Sequence, residues 1–130
     1  MDTLLTIHGE IRWLVALVTV AVALRSLLGW LRGAEVKGLD RGLTAAMTGL
    51  IDLNLVLGLI LLFGLPGGMA RFRMEHAGTM IVALVVAHLT MIWRRSPNAA
   101  LKFRNDFFVA LAVLVLVSAG VLRLRGGWIF

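Results

Sequence analysis

The sequence predicts an all-α integral membrane protein, a four-helix transmembrane bundle with up-down-up-down topology. Hydrophobic residues make up 60% of the 130 residues and charged residues only 15%, against about 45–50% and 25% in ordinary globular proteins. The apolar residues fall into four blocks joined by short polar connections. A water-soluble domain of this size leaves much of its surface in water, so this composition excludes a soluble monomer.

The four blocks predict helices at about residues 9–31, 42–65, 73–94 and 104–123, in a single domain covering residues 1–130. Each block is close to the ~20 residues that a helix needs to cross about 30 Å of hydrocarbon. None shows the alternation of apolar and polar residues that is typical of a barrel strand. Short connections favour antiparallel neighbours, which predicts the up-down-up-down order.

The residues that separate the blocks support each predicted helix in turn. The first block has no basic residue before Arg12 and no obvious cleavage site, so it is interpreted as a helix and not as a signal peptide. The second ends at the sequence Leu-Pro-Gly-Gly of residues 65–68, a strong helix stop. A Ser-Pro-Asn turn at residues 96–98 separates the third from the fourth. The core of the fourth, residues 107–122, carries no charge.

The distribution of basic residues predicts the orientation. The side that holds the first and third connections carries eight basic residues, namely Arg25, Arg32, Lys37, Arg41, Arg94, Arg95, Lys102 and Arg104. The other side carries five, namely Arg12, Arg71, Arg73, Arg123 and Arg125. The positive-inside rule then places both termini outside the cytoplasmic membrane.

Several function classes are excluded. The chain has no cysteine, which rules out disulfides, thiolate metal sites and cysteine nucleophiles. The net charge of +6 comes from residues that lie mostly between apolar blocks, so we expect no nucleic-acid partner. No hydrolase, P-loop or dinucleotide motif is present. If the chain takes part in an enzyme, we expect it to be part of an oxidoreductase complex.

Two of the three histidines have matched depth. His8 and His76 both lie near the outer end of their predicted helices. His88 follows His76 by twelve residues, which is about 18 Å along a helix at 1.5 Å per residue. His88 therefore cannot share one iron with His76, whereas His8 and His76 can be the axial ligands of a haem. The alternative is that each histidine is an ordinary interfacial residue.

Arginines surround the predicted ligand pair. Arg12 lies one turn after His8, on the same face of its helix, and Arg71 and Arg73 precede His76. A guanidinium group binds a carboxylate through two hydrogen bonds, so these three arginines are candidates for the haem propionates. The alternative interpretation is that they anchor the helix ends at the membrane surface.

Three further polar residues fall within the predicted spans. Asp52 and Asn54 lie near the middle of the second helix, and His88 lies in the third. Ionisable groups inside a membrane are rare, so we predict that Asp52, Asn54 and His88 are buried polar residues. A proton relay and a hydrogen bond to a cofactor or quinone are the functional hypotheses, and packing between helices is the structural one.

Three stretches resemble a known family. They are the sequence HGEIRW at residues 8–13, the polar-then-apolar run at residues 52–61, and Glu75-His76 followed by Met80. Together they resemble the small bacterial four-helix membrane proteins catalogued as cytochrome b-like. The resemblance implies haem b, electron transfer and a bacterial inner membrane. In that family the second helix often carries His or Asp and, two residues on, Gln. Here Asp52 and Asn54 stand there, which leaves His8 and His76 as ligands.

Three functions remain open. The first is electron transfer by one haem b held by His8 and His76, to or from quinol or a protein partner. The second is a non-haem accessory subunit of a larger respiratory or photosynthetic membrane complex. The third is a proton or solute carrier built on Asp52 and His88, which ranks last because few polar groups lie within the four blocks. The expected partners are the lipid bilayer and either other membrane subunits or further copies of the chain.

Overall fold

Residues 1–125 contain four α-helices. The computed structural model describes residues 1–125, and residues 126–130 of the predicted domain lie outside this part. The helices are α1 (Asp2–Arg32), α2 (Gly38–Gly64), α3 (Arg71–His88) and α4 (Ala99–Arg125), and a 3₁₀ turn over Leu89–Met91 extends α3. No strand occurs in residues 1–125.

Turn-forming residues end these helices. Gly33 follows α1 with φ +62°, a left-handed conformation that costs glycine little. Pro66, Gly67 and Gly68 follow α2, and both glycines have positive φ. Asn98 precedes α4, and its side-chain oxygen accepts a hydrogen bond of 3.1 Å from the backbone N–H of Leu101. This cap satisfies one of the N–H groups that have no partner within a helix.

All four helices begin earlier than the apolar pattern predicts, and the differences are largest in α1 and α4. α1 starts at Asp2, not at about residue 9, and α4 starts at Ala99, not at about residue 104. The extra turns contain polar residues, which hydropathy alone assigns to connections. In α4 they stay helical because Lys102 and Asp106 face inward and pair with each other.

The four helices form a bundle in which each packs mainly against two others. α1 packs on α2 and α4, and α3 packs on the same two helices, so α1 and α3 lie diagonally opposite. The core consists largely of small and β-branched side chains, among them Val15, Val22, Ala83, Ala87, Ala110, Val113 and Val117. Such residues let the backbones of neighbouring helices approach closely.

The outer surface of the bundle is apolar. Phe63 is 70% exposed and Ile92 is 75% exposed, and many other large hydrophobic side chains point outward. All four helices are long and apolar enough to cross a membrane. An exterior with this many exposed apolar side chains is compatible with a lipid environment.

Candidate functional site

The rings of His8 and His76 lie close together between the helices of the bundle. Their ring centroids lie 6.4 Å apart and the ring planes are 86° apart, nearly perpendicular. His8 comes from α1 and His76 from α3, the two diagonally opposite helices. The structure therefore brings together the two histidines that were predicted to lie at the same depth in the membrane.

Backbone carbonyls orient both rings. The Nδ1 of His8 is 3.0 Å from the carbonyl oxygen of Asn54 in α2. The Nδ1 of His76 is 2.9 Å from the carbonyl oxygen of Gly120 in α4. Because a carbonyl oxygen only accepts, each Nδ1 carries the hydrogen, and Nε2 of the neutral imidazole then holds the lone pair. Metal-ligating histidines commonly donate their other ring N–H in this way.

A glycine makes room for the His8 ring. A Cβ at Gly58 would lie 2.9 Å from Cε1 of His8, closer than ordinary packing allows. Glycine at this position lets α2 come close enough for the imidazole of His8 to reach its backbone. A Cβ at Gly120 would meet the flexible end of Met80 and would lie 3.4 Å from Nδ1 of His76, an ordinary contact distance.

A cavity of about 320 Å³ lies between the histidines and the helices around them. Residues from all four helices line it, among them His8, Ile51, Asn54, His76, Met80 and Val117. Its volume falls in the range of about 300–1,000 Å³ that is usual for ligand and cofactor sites. The walls are mainly aliphatic, and His8, Arg12, Asn54, Arg73 and His76 are the polar residues among them.

The donor set fits haem better than a bare metal ion. In residues 1–125 no group of three or more His, Cys, Asp or Glu side chains could hold a metal ion. Haem iron needs only two protein ligands, because the porphyrin supplies the other four. If both Nε2 atoms pointed at one iron, two metal–imidazole bonds of about 2.0 Å each would place the ring centres about 6.3 Å apart. The ring centres of His8 and His76 lie 6.4 Å apart.

The three predicted propionate partners occupy different places. Arg12 and Arg73 line the cavity, and Arg71 does not. Arg73 donates hydrogen bonds to the carbonyls of Pro66 and Gly68, at 3.0 and 3.2 Å, and so holds the turn between α2 and α3. Arg71 pairs with Glu75 on the exposed surface at 2.9 Å. The expectation that all three arginines surround one site therefore needs correcting for Arg71, which points away from the cavity.

Glu75 ties two helices together beside the cavity. Its carboxylate accepts from Arg71 of the same helix and from Nε of Arg123 in α4, at 2.6 Å. This network joins α3 to α4 one residue before His76 in sequence. It helps to fix the position of the His76 backbone.

Asp52 and His88 contact each other at the surface of the bundle. Nε2 of His88 lies 3.3 Å from Oδ2 of Asp52, and Nδ1 of His88 bonds the carbonyl of Leu84 at 3.1 Å. The side chains of Asp52 and His88 are 47% and 34% exposed. They are thus half exposed and not buried as the sequence suggested, because this face of α2 and α3 points outward.

Asn54 differs from this pair because it faces the cavity. Its side-chain oxygen is buried and has no hydrogen-bond partner within the described residues. Its backbone carbonyl meanwhile accepts from His8. Asn54 therefore orients a candidate ligand through its backbone, and it has a buried side-chain oxygen beside the cavity.

A buried charge cluster lies at the opposite end of the bundle, and sequence reasoning missed it. Arg25 of α1 pairs with Asp40 of α2 at 2.6 Å. Lys102 and Asp106 of α4, which are only 1% and 2% exposed, pair with each other. Nε1 of Trp93 donates to Asp106 at 2.7 Å. The i,i+4 spacing of Lys102 and Asp106 was the one signal available.

Comparison of the chain with protein-family models, curated proteins and solved structures finds no match. A functional assignment for this chain depends on the geometry of its own residues. That geometry centres on His8, His76 and the cavity between them.

Proposed function

We propose that the chain is a membrane-embedded b-type cytochrome, alone or as a subunit of an oxidoreductase complex, with one haem b held by His8 and His76. One observation carries the proposal. Two imidazole rings lie with their centres 6.4 Å apart, each oriented by a backbone carbonyl, at the wall of a mainly apolar cavity. Helical bundles build cofactor sites from side chains on facing helices.

The proposed setting is the bacterial inner membrane, with the four helices crossing it in up-down-up-down order and both termini outside. Contacts near the helix ends support this order. His8, near the start of α1, contacts the later part of α2, and Arg25 in α1 contacts Asp40 at the start of α2. In the same way His76, early in α3, contacts Gly120 late in α4. The excess of basic residues on one side supports the orientation.

The residues around the cavity have distinct roles in this proposal. When bound, haem b supplies reversible one-electron chemistry. His8 and His76 would hold the haem iron, and the carbonyls of Asn54 and Gly120 keep their rings in place and would make them more basic. The aliphatic walls exclude water, which tunes the reduction potential. Arg12 lies at the cavity wall where a propionate would need a cationic partner.

The test is a haem titration of the purified protein followed by absorption. The wild type should bind one haem per chain and give the spectrum of six-coordinate low-spin iron. His8→Ala and His76→Ala should each abolish that spectrum, because one axial nitrogen is lost. His88→Ala is the matched control and should leave it unchanged, since His88 pairs with Asp52 outside the cavity. A spectrum that depends on His88 and not on His8 would overturn the assignment.

A second candidate is the non-haem accessory subunit. The observation that favours it is the half-exposed Asp52–His88 pair on an otherwise apolar face. Lipid tails offer no hydrogen bonds or charges to such a pair, whereas another membrane subunit does. A pure protein that stays colourless through the haem titration would favour this function over the first.

A further inference from the structure

A second recess lies at the other end of the bundle, between the end of α3 and the start of α4. Its volume is about 720 Å³. Met91, Ile92, Arg94, Arg95 and Leu101 are among the residues that line it. It shares no lining residue with the cavity between the histidines.

The polar half of this recess is basic. Arg94 and Arg95 are both exposed. In residues 1–125 the ion pairs use Asp40, Asp52, Glu75 and Asp106, and none involves Arg94 or Arg95. Two arginines that line the same recess, without an acidic partner in the described chain, are suited to a phosphate, which accepts bidentate hydrogen bonds.

The other half of the recess is apolar and exposed. Met91 is 60% exposed and Ile92 is 75% exposed, and both directly precede the arginines. Trp93 lies between the two halves, and its indole is fixed by the hydrogen bond to Asp106. Apolar side chains beside paired arginines at the end of a membrane-length helix match an amphipathic anion better than a free phosphate.

We propose that this recess binds one anionic phospholipid, with Arg94 and Arg95 on the headgroup phosphate and Met91 and Ile92 against the acyl chains. Basic pockets between transmembrane helices on the cytoplasmic side are known to take such headgroups. The inference rests on the membrane setting of the proposed function and not on haem. Lipid binding and the haem spectrum can therefore fail independently of each other.

The test is native mass spectrometry of the full chain in detergent, with dioleoyl phosphatidylglycerol and dioleoyl phosphatidylcholine, which share the same acyl chains. We expect the wild type to retain phosphatidylglycerol preferentially. Arg94→Gln with Arg95→Gln should reduce that preference about fivefold per arginine, the usual effect of one basic residue near an anionic surface. Both side chains are exposed, so helix content by circular dichroism should not change.

Two controls separate a defined site from general charge. Arg32→Gln with Arg41→Gln removes the same charge from exposed positions outside the recess and should keep the preference. Arg94→Lys with Arg95→Lys should give an intermediate preference, because lysine keeps the charge and loses the bidentate geometry. Equal binding of both lipids by the wild type would overturn the proposal. So would an equal loss in the Arg32/Arg41 variant, a lysine variant as weak as the glutamine variant, or displacement of the lipid by inorganic phosphate alone.

Discussion

His8 and His76 are oriented in the same way, each by a backbone carbonyl of a neighbouring helix. The Nδ1 of His8 in α1 donates to a carbonyl of α2, and the Nδ1 of His76 in α3 donates to a carbonyl of α4. Each histidine therefore lies early in one helix and bonds to the backbone of the helix that follows it. All four helices take part, two with imidazoles and two with orienting carbonyls. The site therefore lies between all four helices, near one end of the bundle.

Gly58 in α2, which packs against the ring of His8, provides a test of this arrangement. Gly58→Ala introduces a Cβ 2.9 Å from Cε1 of His8 and should displace the ring from the Asn54 carbonyl. We expect haem affinity to fall about tenfold to a hundredfold, as it does when groups that orient a metal ligand are disturbed. The measurement is a haem titration in detergent.

Gly49→Ala is the control for this substitution. Gly49 lies in the same helix, and nothing lies within 4 Å of the position of its added Cβ. Haem affinity should therefore stay at the wild-type value. If Gly58→Ala binds haem as tightly as Gly49→Ala does, the orientation of His8 by α2 is not important.

The sequence could predict the depth of the histidines but not what orients them. Depth follows from counting residues at a fixed helical rise, which is a local property. The acceptors of His8 and His76 are backbone carbonyls of Asn54 and Gly120. Every helical residue carries such a carbonyl, so nothing in the sequence marks these two. The sequence also did not indicate that a side chain at position 120 would meet Met80.

The inward or outward direction of charged groups was also beyond sequence reasoning. The periodicity of hydrophobic residues identifies the core face of a helix only when the opposite face is polar. The helices here are apolar on most faces, so Asp52 was predicted to be buried and is half exposed. Lys102 was counted among residues of a cytoplasmic connection and instead lies buried beside Asp106.

Substitution by asparagine should lower the stability of the protein much more at Asp106 than at Asp52. Asp106→Asn removes the partner of a buried lysine, and breaking a buried ion pair typically costs about 3–5 kcal/mol. Asp52→Asn weakens a half-exposed pair, for which about 0–1 kcal/mol is usual. The measurement is the free energy of unfolding of both variants in the same detergent. Equal losses would contradict the assignment of Asp106 to the structural core of the bundle.

The orientation can be tested with single cysteines, because the chain contains none of its own. Glu35→Cys lies in the exposed connection between α1 and α2, and Thr3→Cys lies in the exposed first turn of α1. Both substitutions leave every lysine and arginine in place. In intact cells an impermeant thiol reagent should label the cysteine at position 3 and not the one at position 35. The reverse pattern would place the termini in the cytoplasm.

The most direct test of the central claim is the electron paramagnetic resonance spectrum of the oxidised, haem-loaded protein. Two imidazole nitrogens make ferric haem low-spin, and ring planes 86° apart leave two of the iron d orbitals nearly equal in energy. Such iron gives a signal with a large g anisotropy. We predict this low-spin signal in the wild type and in His88→Ala, and its loss in His8→Ala and His76→Ala. A high-spin signal in the wild type, or a protein that takes up no haem, would contradict the account.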